Sequence, residues 1–391
     1  MGRVSQGLCR SRELSRGWVV RASLLRKFLV PLWFMLAVVL GLIACRHAAP
    51  PNRGRERSLP AARGSELTAG WHHSCAIRCD GQVWCWGAAR FLGQADDAEQ
   101  RFPVEVALSG ARSIAAGIDR TCAIVGDEGS VVCWGSPSRG LPDLRLPRST
   151  SRAPAEVGVR GATELSVGRW DSCAILGPGV AGGDSSEGGS GAMCWGVAGM
   201  GKELRPGIFA PFYPVEHFNA SFWGSCAQNA GGLQQLECWS EVPAIEGLNQ
   251  TSAAFPIAGA LALGPRGFCR ITAERRVACS RGPGQVRVID EPRLADIISL
   301  HVGLKEFCAV DARGAVHCWD HPRGDGGAVE LRRVPFEHPV RAISLGWYHG
   351  CGVTTGGEVL CWGSNRHGQL GDGTIEDSAI PVPVVFPGQC P

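Results

Sequence analysis

Residues 342–363 read AISLGWYHGCGVTTGGEVLCWG, and this stretch decides the fold because its pattern predicts a β-hairpin. Short runs with alternating side chains lie on either side of a turn that contains Gly356 and Gly357. Alternation on both sides of a glycine-bearing turn is typical of two antiparallel strands. A further apolar run, 381–385, follows the hairpin and predicts another strand.

Pairs of cysteines show that this unit is repeated seven times along the 391-residue chain. The first cysteines of successive pairs are 39 to 53 residues apart, with a mean of 46, and ten to twelve residues separate the two members of every pair except one. A period in this range is typical of propeller blades, not of helical repeats. The pairs are Cys75 with Cys85, Cys122 with Cys133, Cys173 with Cys194, Cys226 with Cys238, Cys269 with Cys279, Cys308 with Cys318, and Cys351 with Cys361.

The motif around each pair resembles the regulator of chromosome condensation repeat. Its parts are G-x-x-x-x-C, then D/G-G-x-V-x-C-W-G, and then G-Q-L-G-D-G-T, which is complete only at 368–374. The first and last units match best, whereas Ser240, Ser280 and Asp320 replace motif residues in the middle units. The resemblance implies an all-β fold over 65–391, a single seven-bladed β-propeller of four-stranded blades. We expect the C-terminal strand, 381–386, to pair with the first blade and close the ring.

Composition and charge exclude several classes of protein. The 54 glycines and 25 prolines are too many for an all-helical protein, and they favour many short strands joined by turns. From Ser65 onward the chain has 27 basic and 34 acidic residues, a net charge of −7. A nucleic-acid-binding body would need the opposite sign to neutralise phosphates. We therefore expect no nucleic-acid partner.

The N-terminal segment resembles a bacterial lipoprotein signal. A 17-residue apolar run, 28–44, follows basic residues and ends just before Cys45, whose thiol would carry the lipid. We expect a signal peptide over 1–44 and a lipidated cysteine with a flexible tether over 45–64. The alternative is a retained transmembrane helix, for which 17 residues are barely long enough. Arg46 at the position after the cysteine favours the outer membrane by resemblance to sorting rules, on either its periplasmic or its surface side.

The cysteine pairs predict disulfides within blades. Cysteines ten apart about a hairpin face each other on neighbouring strands, at a distance that a disulfide spans. Structural zinc would need paired short knuckles, and only Cys75 and Cys79 are spaced as one. Disulfides imply an oxidising compartment, in agreement with the lipoprotein signal. The remaining pair, Cys79 and Cys390, would lock the two ends of the ring.

The sequence gives little indication of catalysis. The histidines have no metal-ligand spacing, no G-x-S-x-G elbow is present, and Asp372 is best explained as a turn cap. The tryptophans that follow the second cysteine of a pair at a fixed offset, such as Trp86 and Trp362, are expected to pack between blades. We therefore expect no catalytic residue, no metal site and no cofactor.

The turns between the glycine and the first cysteine of each unit are the candidate binding surface. Their sequences vary while the frame is constant, and ring closure would bring them onto one face around the central channel. Their aromatic and basic residues are types enriched at interface hot spots. The alternative is that they only plug the channel mouth. The candidate partner-binding residues are Trp71, His72, His73, Arg120, Trp170, Trp223, Trp347, Tyr348 and His349.

These observations predict a monomeric cell-envelope lipoprotein whose rigid propeller binds a protein or other macromolecular partner. The main alternative is an inhibitor or regulator of a secreted or envelope enzyme, as in secreted bacterial proteins that resemble it. An enzyme of unknown activity is the remote alternative. A Gly- and Ser-rich insert, 177–191, is expected to be a flexible loop without a binding role.

Overall fold

The structure is a computed structural model that describes most of the propeller region. The expected signal peptide, Cys45 and tether lie outside the described residues, as do Cys79, Cys390 and most of the 177–191 insert. In the part of the chain that is described, no helix has the length and apolar character to cross a membrane. The described ranges are 66–78, 81–94, 98–135, 153–169, 171–177, 191–198, 202–209, 215–220, 225–229, 236–239, 261–264, 267–280, 286–289, 291–321 and 329–388.

The chain folds as a β-propeller, which confirms the predicted all-β class. Its strands form seven antiparallel sheets, and each sheet is made of strands that are consecutive in the chain. The first three sheets contain β1 Leu67–Ala69, β2 His73–Arg78, β3 Gln82–Gly87 and β4 Gln100–Glu105; β5 Ala111–Ala116, β6 Arg120–Val125, β7 Ser130–Gly135 and β8 Ala155–Glu156; β9 Ala162–Val167, β10 Asp171–Leu176, β11 Ala192–Ala198 and β12 Lys202–Phe209.

The other four sheets follow the same order. They contain β13 Val215–Ala220, β14 Ser225–Asn229 and β15 Leu236–Trp239; β16 Leu261–Gly264, β17 Gly267–Ile271, β18 Val277–Ser280 and β19 Val286–Val288; β20 Ile297–Val302, β21 Glu306–Asp311, β22 Val316–Asp320 and β23 Arg332–Val334; β24 Val340–Leu345, β25 His349–Thr354, β26 Val359–Gly363 and β27 Ser378–Pro383. One short 3-10 helix, Ala89–Phe91, connects β3 and β4.

The cysteine pairs set the register of the central hairpins. In the first sheet Cys75 lies opposite Cys85, and in the last sheet Cys351 lies opposite Cys361. The bonded pairs have Cα atoms only 4.0 to 4.1 Å apart. Cys226 is also disulfide-bonded, and its register partner is Cys238. The predicted disulfides are therefore present at 75–85, 122–133, 173–194, 269–279, 308–318 and 351–361.

Apolar cores lie between adjacent sheets, and the tryptophans after the second cysteines belong to them. Trp134 packs against Cys75, Val83 and Leu92 of the first sheet. Trp86 packs in the same way against Leu370 and Val384 of the last sheet. Trp86 is fully buried and Trp134 is 3% exposed. The expectation that these indoles pack between blades is confirmed, and burial of each contributes about 3 kcal/mol.

One finer expectation about the strands is wrong. The C-terminal strand β27 pairs with β26 of the last sheet, Cys361 opposite Val382, and not with the first sheet. The first sheet already has its own outer strand, because β4 pairs with β3 with Cys85 opposite Val104. In addition, the fourth sheet has three strands within the described residues, whereas the other six sheets have four.

Candidate functional site

The turns between the first and second strands of four sheets have the same backbone structure. In each, the N–H of the leading glycine donates to the carbonyl three residues on, at 2.8 to 2.9 Å. The turns form one surface, here called the turn face, with the ranges 70–72, 117–119, 303–305 and 346–348. The segments between the glycine and the first cysteine, which the sequence suggests are equivalent, thus have the same backbone geometry in these four sheets.

The leading glycines bring neighbouring turns into contact. A Cβ on Gly346 would lie 2.3 Å from the carbonyl oxygen of Gly70, and one on Gly70 would lie 2.6 Å from that of Gly117. A Cβ on Gly117 would in turn lie 2.2 Å from the carbonyl oxygen of Gly168. Because only hydrogen fits between these backbones, glycine is required at these positions. The side chains that follow each glycine are consequently held close together.

Five rings form an aromatic cluster where the first and last sheets meet. The indoles of Trp71 and Trp347 have centroids 4.3 Å apart, and the Trp347 and Tyr348 rings stack with centroids 6.0 Å apart. His72 stacks on Trp71 at 4.9 Å and contacts His367 at 4.4 Å. Tyr348 is 42% exposed, and the other four rings are half-buried. The cluster is therefore a rigid surface with one prominent aromatic side chain.

Charged groups lie at both ends of this aromatic cluster. The ammonium of Lys305, from the sixth sheet, lies 5.3 Å from the Tyr348 ring centroid. At the other end, Nδ1 of His367 lies 2.7 Å from Oε1 of Glu99. Burial and, to a smaller extent, the adjacent His367 lower the pKa of His72 to about 4, while Glu99 opposes this shift. His72 is therefore neutral at neutral pH, which favours its stacking on Trp71.

A buried layer of histidines lies directly beneath the aromatic cluster. His349 shares a 2.7 Å hydrogen bond between its Nε2 and Oγ of Ser74, across the junction of the last and first sheets. His73 shares the equivalent 2.8 Å bond with Oγ1 of Thr121, between the first and second sheets. Burial lowers the pKa of both His73 and His349 to about 3, and neighbouring histidines add to the shift. These imidazoles are neutral parts of the core.

The predicted partner-binding residues fall into three groups: residues at the surface, buried residues, and residues outside the described ranges. Trp71, His72, Trp347 and Tyr348 come together as expected and reach the surface. The side chains of His73, Arg120 and His349 are buried and contact neighbouring groups; Arg120 lies 3.4 Å from Asp119. Trp170 and Trp223 lie outside the described residues.

Three residues of this region were not singled out in the sequence. His367 and Glu99 are 295 and 27 residues from His72, and no local pattern connects them. The useful signal for His367 is its place just before the complete G-Q-L-G-D-G-T segment. That segment contacts the first sheet, where Nε1 of Trp86 donates to the carbonyl of Gln369 at 2.8 Å. Lys305 lies in one of the variable turns, and only folding places it beside Tyr348.

Asp372 has the structural role expected of it. Its Oδ1 accepts hydrogen bonds from the backbone N–H of Thr374 at 3.0 Å and from Nδ2 of Asn365 at 3.1 Å. These contacts cap the turn and leave the carboxylate engaged. Among the described residues, one group has metal-ligand proximity, Glu306 with Cys308 and Cys318. Those two sulfurs are bonded to each other, so they are not thiolate ligands.

Family comparisons agree with the repeat motifs. Two models described as the regulator of chromosome condensation repeat match residues 65–91 and 340–369, and residues 356–391. Among curated relatives, the human E3 ubiquitin-protein ligase HERC2 is 32% identical over 100 residues, which is 22% of this chain and 2% of that protein. A mitochondrial RCC1 domain-containing protein of Arabidopsis thaliana, RUG3, is 36% identical over 74 residues, 18% of this chain and 17% of that protein. These matches thus span only a small part of each relative.

Solved structures support the fold. Prp20p from Saccharomyces cerevisiae superposes with a TM-score of 0.62 at 14% identity, covering 78% of this chain and 86% of that chain. The ectodomain of the receptor kinase CR4 from Physcomitrella patens has a TM-score of 0.51 at 20% identity, covering 77% of this chain and 73% of that chain. At these identities the likeness concerns the fold alone. The chain is thus a β-propeller with disulfide-bonded cysteine pairs that carries regulator of chromosome condensation repeats in its first and last sheets.

Proposed function

We propose that the chain is a binding platform that docks a protein partner on its turn face, with the aromatic cluster as the anchor. The observation that carries this proposal is the contiguous set of five rings, of which Tyr348 is 42% exposed. Aromatic side chains fixed by packing lose little conformational entropy on binding, so they are effective hot spots. Lys305 beside Tyr348 favours a partner surface with an acidic group near an apolar one.

The platform in this proposal is one closed ring of seven blades. Three kinds of contact between the first and last sheets support closure. The Trp347 N–H donates to the Gly70 carbonyl at 3.2 Å, the Ala69 N–H donates to Oγ of Ser344 at 3.0 Å, and an apolar core joins the two sheets. A closed ring leaves the aromatic cluster on a rigid support, which lowers the entropy cost of docking.

Relatives of this fold supply a precedent for protein docking. Prp20p binds Gsp1p and histones, and in a second structure Kap60 is bound to the same yeast protein. The net charge of −7 from Ser65 onward disfavours nucleic acid as the partner here. We therefore propose that the partner is a protein, and that it is neither a nucleic acid nor one of the proteins that Prp20p binds.

A photocrosslinker placed at Tyr348 tests the docking site. Full-length chain carrying p-benzoylphenylalanine at this position should form a specific adduct with one envelope or secreted protein. The same label at Thr355, which is exposed at the opposite end of the last sheet, is the matched control. Equal adducts from both positions, or adducts from Thr355 alone, would place the docking surface elsewhere. If the partner is an enzyme, its activity with and without the propeller separates an inhibitor from a passive platform.

Substitutions then measure the contribution of the aromatic cluster to binding. Tyr348→Ala should weaken binding of the crosslinked partner by about 2 to 4 kcal/mol and leave the melting temperature nearly unchanged. Trp86→Ala, which removes a fully buried indole, should instead destabilise the fold by about 3 to 5 kcal/mol. Partner titrations and thermal unfolding of both variants provide the comparison. Unchanged partner binding by Tyr348→Ala would contradict the proposed anchor.

We also propose that the chain is a lipid-anchored monomer of the cell envelope, in the outer membrane. The apolar run 28–44 before Cys45 and the disulfides, which need an oxidising compartment, both support this location. Metabolic labelling with a palmitate analogue should mark the protein, and Cys45→Ala should abolish the mark. Labelling that survives this substitution would contradict the lipid anchor.

A further inference from the structure

A cavity of about 450 Å³ lies at the end of the first and last sheets opposite the turn face. Its walls include Arg78 at the end of β2 and Arg341 near the start of β24, whereas the turn face begins at the other ends of these strands. Arg112 near the start of β5 and Glu66 also line it. The cavity therefore gathers three guanidinium groups and one carboxylate from three sheets.

Two of these arginines are presented by equivalent β-bulges. In the last sheet Val340 pairs with Thr354 and Ala342 pairs with Val353, so Arg341 between them has no cross-strand partner. The register of the second sheet shifts in the same way around Arg112, between Ala111 and Ser113. A bulge re-aims the side chain of its extra residue. Both bulged strands contact β1, which places the two arginines on either side of the first sheet.

The cavity has an excess of positive charge. Glu66 pairs with Arg341, with Oε2 and Nη2 2.5 Å apart. The Arg78 guanidinium lies 4.1 Å from the centroid of the Phe386 ring, a contact that orients it without neutralising it. Within the described ranges no carboxylate pairs with Arg78 or Arg112. A bound anion would therefore gain charge-assisted hydrogen bonds that the described residues leave unused.

A second cavity of about 940 Å³ adjoins the first and shares Arg78, Gly357 and Val359 with it. Phe336 and Phe386 form an apolar wall of this cavity, whose lining also includes the carboxylates of Glu337 and Glu358. Both rings are fixed by edge contacts with core indoles, Phe336 with Trp362 at 5.5 Å and Phe386 with Trp86 at 5.7 Å. The apolar wall is therefore preformed and lies beside the arginines.

We propose that these two cavities form a binding site for an organic carboxylate with an aromatic or aliphatic body. The carboxylate contacts Arg78 and Arg112, whose planar guanidinium forks match its two oxygens, and competes with Glu66 for Arg341. The apolar body lies against Phe336 and Phe386. The cavity volumes fall in the range of small-molecule sites, which exceeds what a simple inorganic anion needs. The site is separate from the turn face and does not depend on the proposed protein partner.

Calorimetric titration of the full-length chain with 4-phenylbutyrate tests this site, with empty detergent micelles as the blank. We expect 4-phenylbutyrate to bind at least about tenfold more tightly than 4-phenylbutanamide, which lacks the charge, and than acetate or inorganic phosphate, which lack the apolar body. Equal affinity for the amide would overturn the role of the arginines. Equal affinity for acetate or phosphate would overturn the role of the apolar wall.

One substitution that should weaken 4-phenylbutyrate binding and one that should strengthen it make the test specific to these residues. Arg112→Gln should raise the Kd for 4-phenylbutyrate about tenfold, whereas Arg313→Gln, which changes an exposed arginine in the turn between β21 and β22, should leave it unchanged. Glu66→Gln releases Arg341 and should lower the Kd severalfold. Circular dichroism establishes that each variant is folded. Binding by Arg112→Gln at the parental Kd, or weaker binding by Glu66→Gln, would overturn the proposal.

Discussion

Gly346 illustrates how single residues without side chains position the candidate site. Its N–H donates to the carbonyl of His349 at 2.8 Å, and this bond forms the turn that carries Trp347 and Tyr348. Its α-carbon also faces the carbonyl oxygen of Gly70 in the first sheet. The glycine therefore fixes both the local turn and the approach of the last sheet to the first.

The variant Gly346→Ala should destabilise the propeller strongly. The added Cβ would lie 2.3 Å from the Gly70 carbonyl oxygen and 2.6 Å from Cε1 of His349, so the sheets must move apart. Overpacking of this kind costs about 1 to 3 kcal/mol or more. Thermal unfolding followed by circular dichroism should show the loss.

Gly356→Ala is the matched control for this change. Its Cβ would meet Oγ1 of Thr354 at 3.6 Å, an ordinary contact, and its backbone does not need the left-handed region. A small stabilisation of about 0.4 to 1 kcal/mol is expected, because alanine restricts the unfolded chain. Equal melting temperatures for the two variants would contradict the proposed packing of the turns.

At the scale of the strands, the sequence predicts the hairpins well and the outer strands poorly. The central hairpins are specified locally, because alternation and cysteine spacing fix their register, as with Cys351 opposite Cys361. Outer strands lie at the rim and have weak patterns; β27 mixes exposed and half-buried residues without alternation and contains two prolines. The sequence therefore could not show that β27 stays with the last sheet.

The candidate site likewise has some features that the sequence could predict and others that it could not. Turn positions follow from the repeat, so Trp71 and Trp347 could be grouped from the sequence. Burial of His73 and His349 could not be predicted, because it depends on the hydroxyls of Ser74 and Thr121 in neighbouring sheets. Those contacts join residues that are far apart in the chain and share no local pattern.

Each disulfide should stabilise its own sheet. The bond between Cys351 and Cys361 closes a loop of about 11 residues, for which the chain-entropy model gives about 2.5 to 3 kcal/mol. The double variant Cys351→Ala, Cys361→Ala should therefore unfold more easily by roughly 2 to 3 kcal/mol. Denaturant unfolding under non-reducing conditions measures this difference. An unchanged midpoint would show that packing alone holds the last sheet.

Peptide mapping of the oxidised protein provides the companion measurement. We expect the six described pairs, Cys226 linked to Cys238, and Cys79 linked to Cys390. Links between cysteines of different pairs, or stoichiometric zinc with free thiols, would contradict this pattern.

At the scale of the whole molecule, the first and last sheets meet without exchanging a strand. Their junction combines an apolar core, the backbone hydrogen bond from the Trp347 N–H to the Gly70 carbonyl, and the side-chain hydrogen bonds of Trp86 to the Gln369 carbonyl and of His349 to Ser74. The hydrogen bond between His349 and Ser74 depends on the protonation of the imidazole, whereas a backbone hydrogen bond does not depend on side-chain protonation. The buried His349 therefore makes the contact between the first and last sheets sensitive to acid.

Acid should weaken this junction within a defined pH range. The pKa of His349 and of His73 is about 3 in the folded protein, lowered first by burial, whereas an unfolded histidine titrates near 6.5. Between these values the unfolded chain binds more protons than the folded chain. The contribution to stability is therefore complete above pH 6.5 and falls as the pH is lowered toward 3, by about 1.4 kcal/mol per pH unit for each histidine.

The variant His349→Gln tests this mechanism at the junction itself. Glutamine has no proton to gain in this range, and its amide offers a hydrogen bond to Ser74, so the melting temperature should fall less steeply between pH 6.5 and pH 4.5 than in the parent protein. His338→Gln, an exposed histidine just before the last sheet, is the matched control and should follow the parent curve. A parental pH slope in His349→Gln would mean that other groups drive the acid response. A shallower slope in this variant alone would identify His349 as the residue that couples contact between the two ends of the propeller to pH.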